Sequence, residues 1–445
     1  LLQTIEETLA VATEHHRAGR TTEAERLYQE ILGIDPGHGE ALHLMGVLAF
    51  QAGRAADAVG LFTQAIASDG QTPMFHTNLG HALHALGRRE DAARAFANAL
   101  VLLCRRGAAV SQLGAVARFI RRYDGFLRHA AAGEIDSGYV TDDSVRKQSL
   151  LFHIDGDVSH YRDLADAVLG APDRFSLPAL HHIVRGMMSQ LFVGATDVGD
   201  AAAFQAGELY RLYELLVSET ARRLQVAPRL KPAGRRPDAR RIVLIATPPA
   251  ADGDAQPVPD IHDCARQLQD DYGREVTIVN AGTLALSPES GFMREFAYSA
   301  AEPRDGMVTM ERPDGRVRVA SFAPKDVDAA TLQAAVDFIE DLDPDIVIAF
   351  GAGNVVADLF AGTRAVVCVP TAPGLPFTLA RLVLGYDEAD DASGWPAWLA
   401  GRFRPFSFGW HPTLASSGPF DDTGERRRAV DRLLACCAEA LEMPG

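Results

Sequence analysis

Gly19, Gly53 and Gly87 stand 34 positions apart, and four more columns keep that spacing: Ala12, Gly46 and Gly80; Ala24, Ala58 and Ala92; Tyr28, Phe62 and Phe96; and Ile31, Ala65 and Ala99. A fixed period of this length marks one supersecondary unit repeated along the chain, each copy too small to bury its apolar face alone. Small residues alternating with one aromatic per period are what a helix–helix contact requires, because a larger side chain in the small slot would hold the helices apart. The chain from about residue 5 to residue 105 is therefore expected to form three helical hairpins stacked as an α-solenoid. A proline closes the first period at Pro36, and Gly70 holds the same slot in the second.

These columns resemble the tetratricopeptide (TPR) family, which implies a concave groove that holds a peptide or protein. In that family, positions two, five, six, nine, twelve and thirteen of the first helix of each hairpin line the groove. Here they carry Glu6, Leu9, Ala10, Thr13, His16 and Arg17, then Glu40, His43, Leu44, Val47, Phe50 and Gln51, then Met74, Thr77, Asn78, His81, His84 and Ala85. The resemblance implies that His16, Arg17, His43, Val47, Phe50, Gln51, Asn78, His81 and His84 contact the partner. Asn78 stands where O-GlcNAc-transferase-like repeats place an asparagine that grips peptide backbone, whereas Ala10 and Leu44 occupy that position in the first two repeats. The lysine clamp for a carboxy-terminal carboxylate is absent. Groove histidines in such repeats serve recognition or face solvent, and no metal site is expected.

The remaining length demands further domains, since 445 residues exceed one ordinary core. A formal net charge of −16 argues against nucleic acid as the main partner, because phosphate binding draws on a positive surface. Three lysines (Lys147, Lys231, Lys325) among 43 basic residues suggest a GC-rich bacterial genome. The five cysteines show neither a paired CxxC motif nor a disulfide framework, which points to a reducing compartment. No apolar run reaches the length of a membrane span and no signal peptide opens the chain, so a cytoplasmic bacterial setting is expected.

Beyond the repeats, helical patterning continues. Arg105 to Arg128, amphipathic with Leu113, Val116, Phe119, Ile120, Phe126 and Leu127 on its apolar side, reads as a capping helix with a solvated basic face, since terminal repeats need a polar cover. Residues 145 to 226 read as several more helices. The expected order is the repeat array at 1–104, a helical capping and connector region at 105–227, a Pro-rich basic linker at 228–240, and an α/β domain at 241–445. In the last region, short apolar runs (Ile242 to Ala246, Val276 to Asn280, Val317 to Phe322, Ile346 to Phe350, Ala365 to Val369) alternate with helix candidates at Ile261 to Tyr272, Thr331 to Leu342 and Val355 to Phe360. Such runs are the signature of buried parallel strands, so a Rossmann-like doubly wound sheet is expected. Pro313, Asp314 and Gly315 predict a hairpin inserted in it. After Gly385 comes an aromatic loop region with Trp395, Trp398, Phe403, Phe406, Phe408 and Trp410, then a last helix at Glu425 to Leu441.

Ligands in open α/β sheets collect at the carboxyl ends of the strands. Three strand exits qualify: Thr247 through a Gly/Pro-rich loop to Asp260 and His262, the turn Gly351, Ala352, Gly353, Asn354, and the loop Pro370 to Pro376. The second is the best anion candidate, because glycines at a helix start let backbone N–H groups approach a phosphate; a tight strand-to-helix turn is the plain alternative. Gly351, Gly353, Asn354 and Thr371 are the candidate ligand-binding residues. His262 is the candidate general base, against the alternative of a structural histidine. No HExxH, GxSxG or GxxxxGK[ST] occurs, which leaves zinc-protease, α/β-hydrolase and P-loop NTPase chemistry without support.

Repeats followed by such a domain resemble bacterial protein-modifying glycosyltransferases of the flagellin-modifying and O-GlcNAc-transferase-like kinds. The run from Asp343 through Ile346, Phe350 and Gly353 to Asn354 is similar to the end of one Rossmann half of that two-Rossmann fold; a second half does not fit in the roughly 60 residues after Gly385. The resemblance implies recruitment of a protein acceptor for sugar transfer to side-chain hydroxyls, with a sugar nucleotide as donor substrate and no required cofactor. The rival expectations are a non-catalytic adaptor or chaperone whose α/β domain is a degenerate binding surface, and a binder of a small anion at the glycine turn.

Overall fold

The computed structural model describes residues 2–138, 144–226, 240–246, 258–281, 292, 306–312, 315–322, 329–351, 353–370, 375–385, 392–393, 395–406 and 423–443. Residues 228–239 of the expected linker, the loop at 247–257, Pro313 and Asp314 of the expected hairpin turn, Ala352, Thr371, Phe408 and Trp410 lie outside them. The chain divides into two compact units, Leu1–Leu164 with Gln190–Val198 and Gly291–Phe296, and Ala165–Ser189 with Gly199–Ser290 and Ala297–Gly445.

The first unit opens with three antiparallel hairpins: α1 (Leu2–Arg17) with α2 (Thr21–Ile34), α3 (Gly39–Gln51) with α4 (Ala55–Ser68), and α5 (Pro73–Ala85) with α6 (Arg89–Arg105). Each turn is made the same way. Gly19, Gly53 and Gly87 take φ of +76°, +78° and +76°. At each, the glycine N–H and the next N–H reach back to the carbonyls of the first helix, as in Gly53 N to Phe50 O and Arg54 N to Ala49 O. That left-handed cap is open to glycine at little cost, which explains the invariant column. The small column has a steric cause: a Cβ on Gly46 would lie 2.7 Å from the ring of Phe62, and one on Gly80 2.7 Å from that of Phe96. The alanine and aromatic columns are buried throughout.

Next come α7 (Val110–Ile120), α8 (Gly125–Gly138) and α9 (Ser144–Asp155). Helix α7 buries Leu113, Val116, Ala117 and Ile120 against the end of the array, and Phe119 stacks on Phe96 with centroids 5.2 Å apart. The capping segment is thus two helices rather than one, broken at Tyr123 and Asp124. Phe126, on the second, is 81% exposed instead of joining the apolar face.

Helices α10 (Ser159–Gly170) and α11 (Leu177–Gly194) each contribute to both units, and α12 (Val198–Phe204) passes through one π-helical turn, Gln205–Leu209, into α13 (Tyr210–Leu224).

The second unit is built on an eight-stranded sheet. In chain order its elements are β1 (Arg241–Ala246), α14 (Val258–Asp270), β2 (Glu275–Asn280), β3 (Gly306–Arg312), β4 (Gly315–Ser321), α15 (Ala329–Leu342), β5 (Ile346–Phe350), α16 (Val355–Leu359), β6 (Ala365–Val369), β7 (Leu382–Leu384), α17 (Ala397–Ala400), β8 (Phe403–Arg404) and α18 (Thr423–Glu442). Spatial order is β3-β4-β2-β1-β5-β6-β7-β8. All neighbours run parallel except the edge hairpin β3–β4. Ile242, Leu244, Ile346, Ile348 and Val367 pack with Ile261, Ala265 and Leu268 of α14 and Leu433 and Cys437 of α18. The alternate residues Val243, Ile245, Val347 and Val366 are buried as well, so the strands are apolar on both faces, as parallel strands between helical layers must be. The sequence expectation of an N-terminal helical solenoid followed by a parallel-sheet α/β domain holds. Strand β8 lies in the aromatic loop region expected after Gly385, and β7 ends just before it; neither strand is expected from the sequence.

Candidate functional site

The groove positions of the repeats interlock. Asn78 Nδ2 and His43 Nε2 are 2.7 Å apart, linking the third hairpin to the second, and His16 Nε2 lies 3.2 Å from Gln51 Oε1, linking the first to the second. His84 Nδ1 meets the Tyr123 hydroxyl at 3.0 Å. The first two pairs join one hairpin to its successor and the third joins the last hairpin to the turn after α7, so these polar groups bridge the repeats. His43 is buried, with ring centroids 4.8 Å from Phe75 and 5.7 Å from Phe62. Burial pushes its pKa down to about 4, which keeps the imidazole neutral at physiological pH. His81 sits edge-on between Phe96 and Phe119, at 5.2 and 4.4 Å, and burial lowers its pKa first, with the charges of His84 and Arg122 adding to the effect. Arg17, Gln51 and His84 are exposed, while His16, Val47, Phe50, Asn78 and His81 are half-buried. Of the expected groove positions, Arg17, Gln51, His84 and Met74 are thus open to solvent, and Val47 and Phe50 are partly so. Between the second and third hairpins, a cleft of about 560 Å³ is lined by Phe50, Arg54, Asp57, Ala85 and Leu86.

In the second unit, Ala246 pairs in register with Phe350, and Phe350 with Val369. The three loops marked in the sequence thus leave the sheet from one row at its carboxyl edge. The row includes the β1/β5 pair, from which the strand order runs outward in opposite directions, the switch point at which α/β sheets bind ligands.

The glycine turn itself is committed to packing. Gly351 N–H donates to Val369 O at 2.9 Å and Gly353 N–H to Phe377 O at 2.6 Å. Gly353 has φ of +74°, and a Cβ there would lie 2.7 Å from Met188 of α11. Its carbonyl accepts from Arg185 Nη1. Asn354 caps α16, its Oδ1 accepting from Ala357 N at 3.0 Å. Gly351, Gly353 and Asn354, the expected ligand-binding residues, share this turn, and both glycine amides donate to acceptors within the chain. His262 is 4% exposed on α14, and Thr371 lies outside the described residues.

Alongside α16 lies a buried polar cluster that the sequence did not signal. Asp358 accepts from the hydroxyl of Tyr213 and from Thr378 Oγ1, the latter at 2.8 Å, and Tyr210 donates to the carbonyl of Thr378. Burial raises the Asp358 pKa to about 7, partly offset by these hydrogen bonds. Cys368 beside it is buried, and burial raises its thiol pKa far above the ordinary value; a protonated, enclosed thiol is a poor nucleophile. The only possible early hint was the apolar spacing that places Tyr210 and Tyr213 on one face of α13.

Residues 15–77 match the tetratricopeptide repeat family. The N-terminal hairpins are TPR repeats. Solved structures similar to this chain include the first TPR of Spaghetti (RPAP3) bound to an HSP90 peptide, at 20% identity over 22% of this chain and 79% of that one, with a TM-score of 0.22. MamA is similar at 19% identity over 36% and 84%, with a TM-score of 0.23. A mutant of the Thermobaculum terrenum O-GlcNAc transferase is similar at 16% identity, over 90% of this chain and 56% of that one, with a TM-score of 0.25. A search of curated proteins returned no match. The TPR region is a protein-binding architecture, and among the described residues no helix is long and apolar enough to cross a membrane.

Proposed function

We propose that the TPR groove docks a segment of a protein acceptor and that the α/β domain handles a sugar nucleotide for transfer to a side-chain hydroxyl of that acceptor, in the manner of bacterial protein glycosyltransferases. The repeats, a protein-binding architecture, support the docking half. The transfer half rests on one observation, the common row of Ala246, Phe350 and Val369 from which three loops leave at the switch point of the sheet. In such a reaction, positioning and stabilisation of the diphosphate leaving group lower the barrier, and neither needs a metal or cofactor supplied by the fold.

A second reading, a non-catalytic adaptor, is favoured by the engagement of the Gly351 and Gly353 amides with Val369 and Phe377 and by the burial of His262. Thermal unfolding against a panel of sugar nucleotides separates the two. A ligand at 100 times its dissociation constant adds about 2.7 kcal/mol, so a nucleoside-dependent rise in melting temperature supports the transferase. No rise with any donor leaves the adaptor, and an equal rise with inorganic phosphate indicates an anion site without nucleoside recognition.

A further inference from the structure

At the end of α9, two carboxylates and two imidazoles converge, far in sequence from both sites described above. Asp155, the last residue of α9, has a side chain only 3% exposed. Its Oδ2 lies 3.4 Å from Nδ1 of His129 on α8 and 3.2 Å from Nε2 of His160 on α10. The ligand atoms of His129, Asp155 and Asp157 all lie within 4.8 Å of one another.

A negative carboxylate buried at a helix carboxyl terminus sits among outward-facing carbonyls, where the helix dipole favours a cation. The basic groups facing it are imidazoles, which unlike guanidinium can exchange a proton for a metal. Zinc bonds to nitrogen and oxygen of about 2.0–2.1 Å imply ligand–ligand edges of about 3.3 Å in a tetrahedron; His129 Nδ1 and Asp155 Oδ2, 3.4 Å apart, already match that edge, and the three ligand atoms, within 4.8 Å of one another, need to draw in only slightly.

The turn carrying the carboxylates is fixed before any ion arrives. Asp157 N–H donates to Asp155 Oδ1 at 3.0 Å, Thr196 N–H donates to Gly156 O at 3.1 Å, and a Cβ on Gly156 would meet Gly194 O at 2.2 Å. His129 is 74% exposed in its side chain and free to turn toward the ion.

We propose that His129 Nδ1 and the carboxylates of Asp155 and Asp157 bind a divalent transition ion of the zinc class, leaving its remaining position to solvent. His160 holds the Asp155 carboxylate by hydrogen bond, the support that ligating groups need. The sequence pattern gave no notice of it, because the four residues come from three helices and one turn.

Calorimetric titration of the full, chelator-stripped chain with zinc chloride tests this. One zinc per chain is expected, with affinity falling roughly tenfold or more in His129→Ala and in Asp157→Asn while their metal-free melting temperatures stay at the parent value. Cobalt(II) should show an imidazole-coordinated visible spectrum that His129→Ala removes. Absence of saturable zinc binding, binding undiminished in both variants, or calcium or magnesium bound as tightly as zinc would each overturn the proposal.

Discussion

At the scale of single residues, the repeat is a set of steric contracts. Gly80 is small because Phe96 occupies the space its Cβ would need, 2.7 Å away. Gly80→Ala should therefore force the Phe96 ring, and with it Phe119 and His81, out of their stack. The expected loss is about 1–3 kcal/mol, the usual cost of overpacking, read as a lower urea midpoint with an unchanged m-value. A midpoint equal to the parent would mean that α5 shifts freely. The first repeat carries Ala12 in the same column, in the buried cluster that holds Tyr28, so the glycine requirement belongs to the later hairpins. This level was legible in the sequence because identical contacts recur at one spacing. The groove was less so: the family positions identified His43 and Asn78, but not that they would hydrogen-bond each other, since a periodic pattern gives a residue's face and not its rotamer.

At the scale of elements, strands buried on both faces were legible as unbroken β-branched runs, whereas Leu382–Leu384 and Phe403–Arg404 are too short to leave a pattern. The aspartates preceding β5 show how an element end can mislead. Asp345 Oδ2 accepts from the backbone N–H groups of Arg240 and Arg241, both at 2.9 Å, which pins the start of β1 to β5 and has no part at the carboxyl edge. The joint between α13 and α16 has a pH consequence. An aspartate ordinarily titrates near 3.8, and burial raises Asp358 in the folded chain to about 7. Between about pH 4 and 7 the unfolded chain has released this proton and the folded chain has kept it, so stability from this group is full below pH 4, falls as pH rises toward 7 and is level above. Asp358→Asn cannot titrate. The difference in unfolding free energy between parent and variant should thus shrink or reverse from pH 5 to pH 8, by an amount on the order of a few kcal/mol. A difference independent of pH would show that Tyr213 and Thr378 hold the carboxylate ionised after all.

For the molecule as a whole, charge constrains the partner. The formal net charge is −16, so a polypeptide approaching the repeats meets a repulsive field if it is acidic and an attractive one if it is basic. The groove adds no strong local exception, since exposed Arg17 is accompanied by exposed Glu6 and Glu40. Its half-buried surface at Val47 and Phe50 is apolar, which favours a segment carrying one or two hydrophobic anchors among neutral or basic residues. Peptides of that kind should bind more tightly than acidic ones of equal length and apolar content. Their association rates should fall as salt is raised toward a Debye length of about 8 Å, while dissociation, set by the apolar contacts, changes little. Fluorescence anisotropy and stopped-flow mixing at two ionic strengths measure both. Phe50→Ala should then act on dissociation and leave the salt slope intact, because it removes contact area and no charge. Tighter binding of the acidic series would instead place the recognition surface on the basic face of Arg118 and Arg122 in α7 and the turn that follows it.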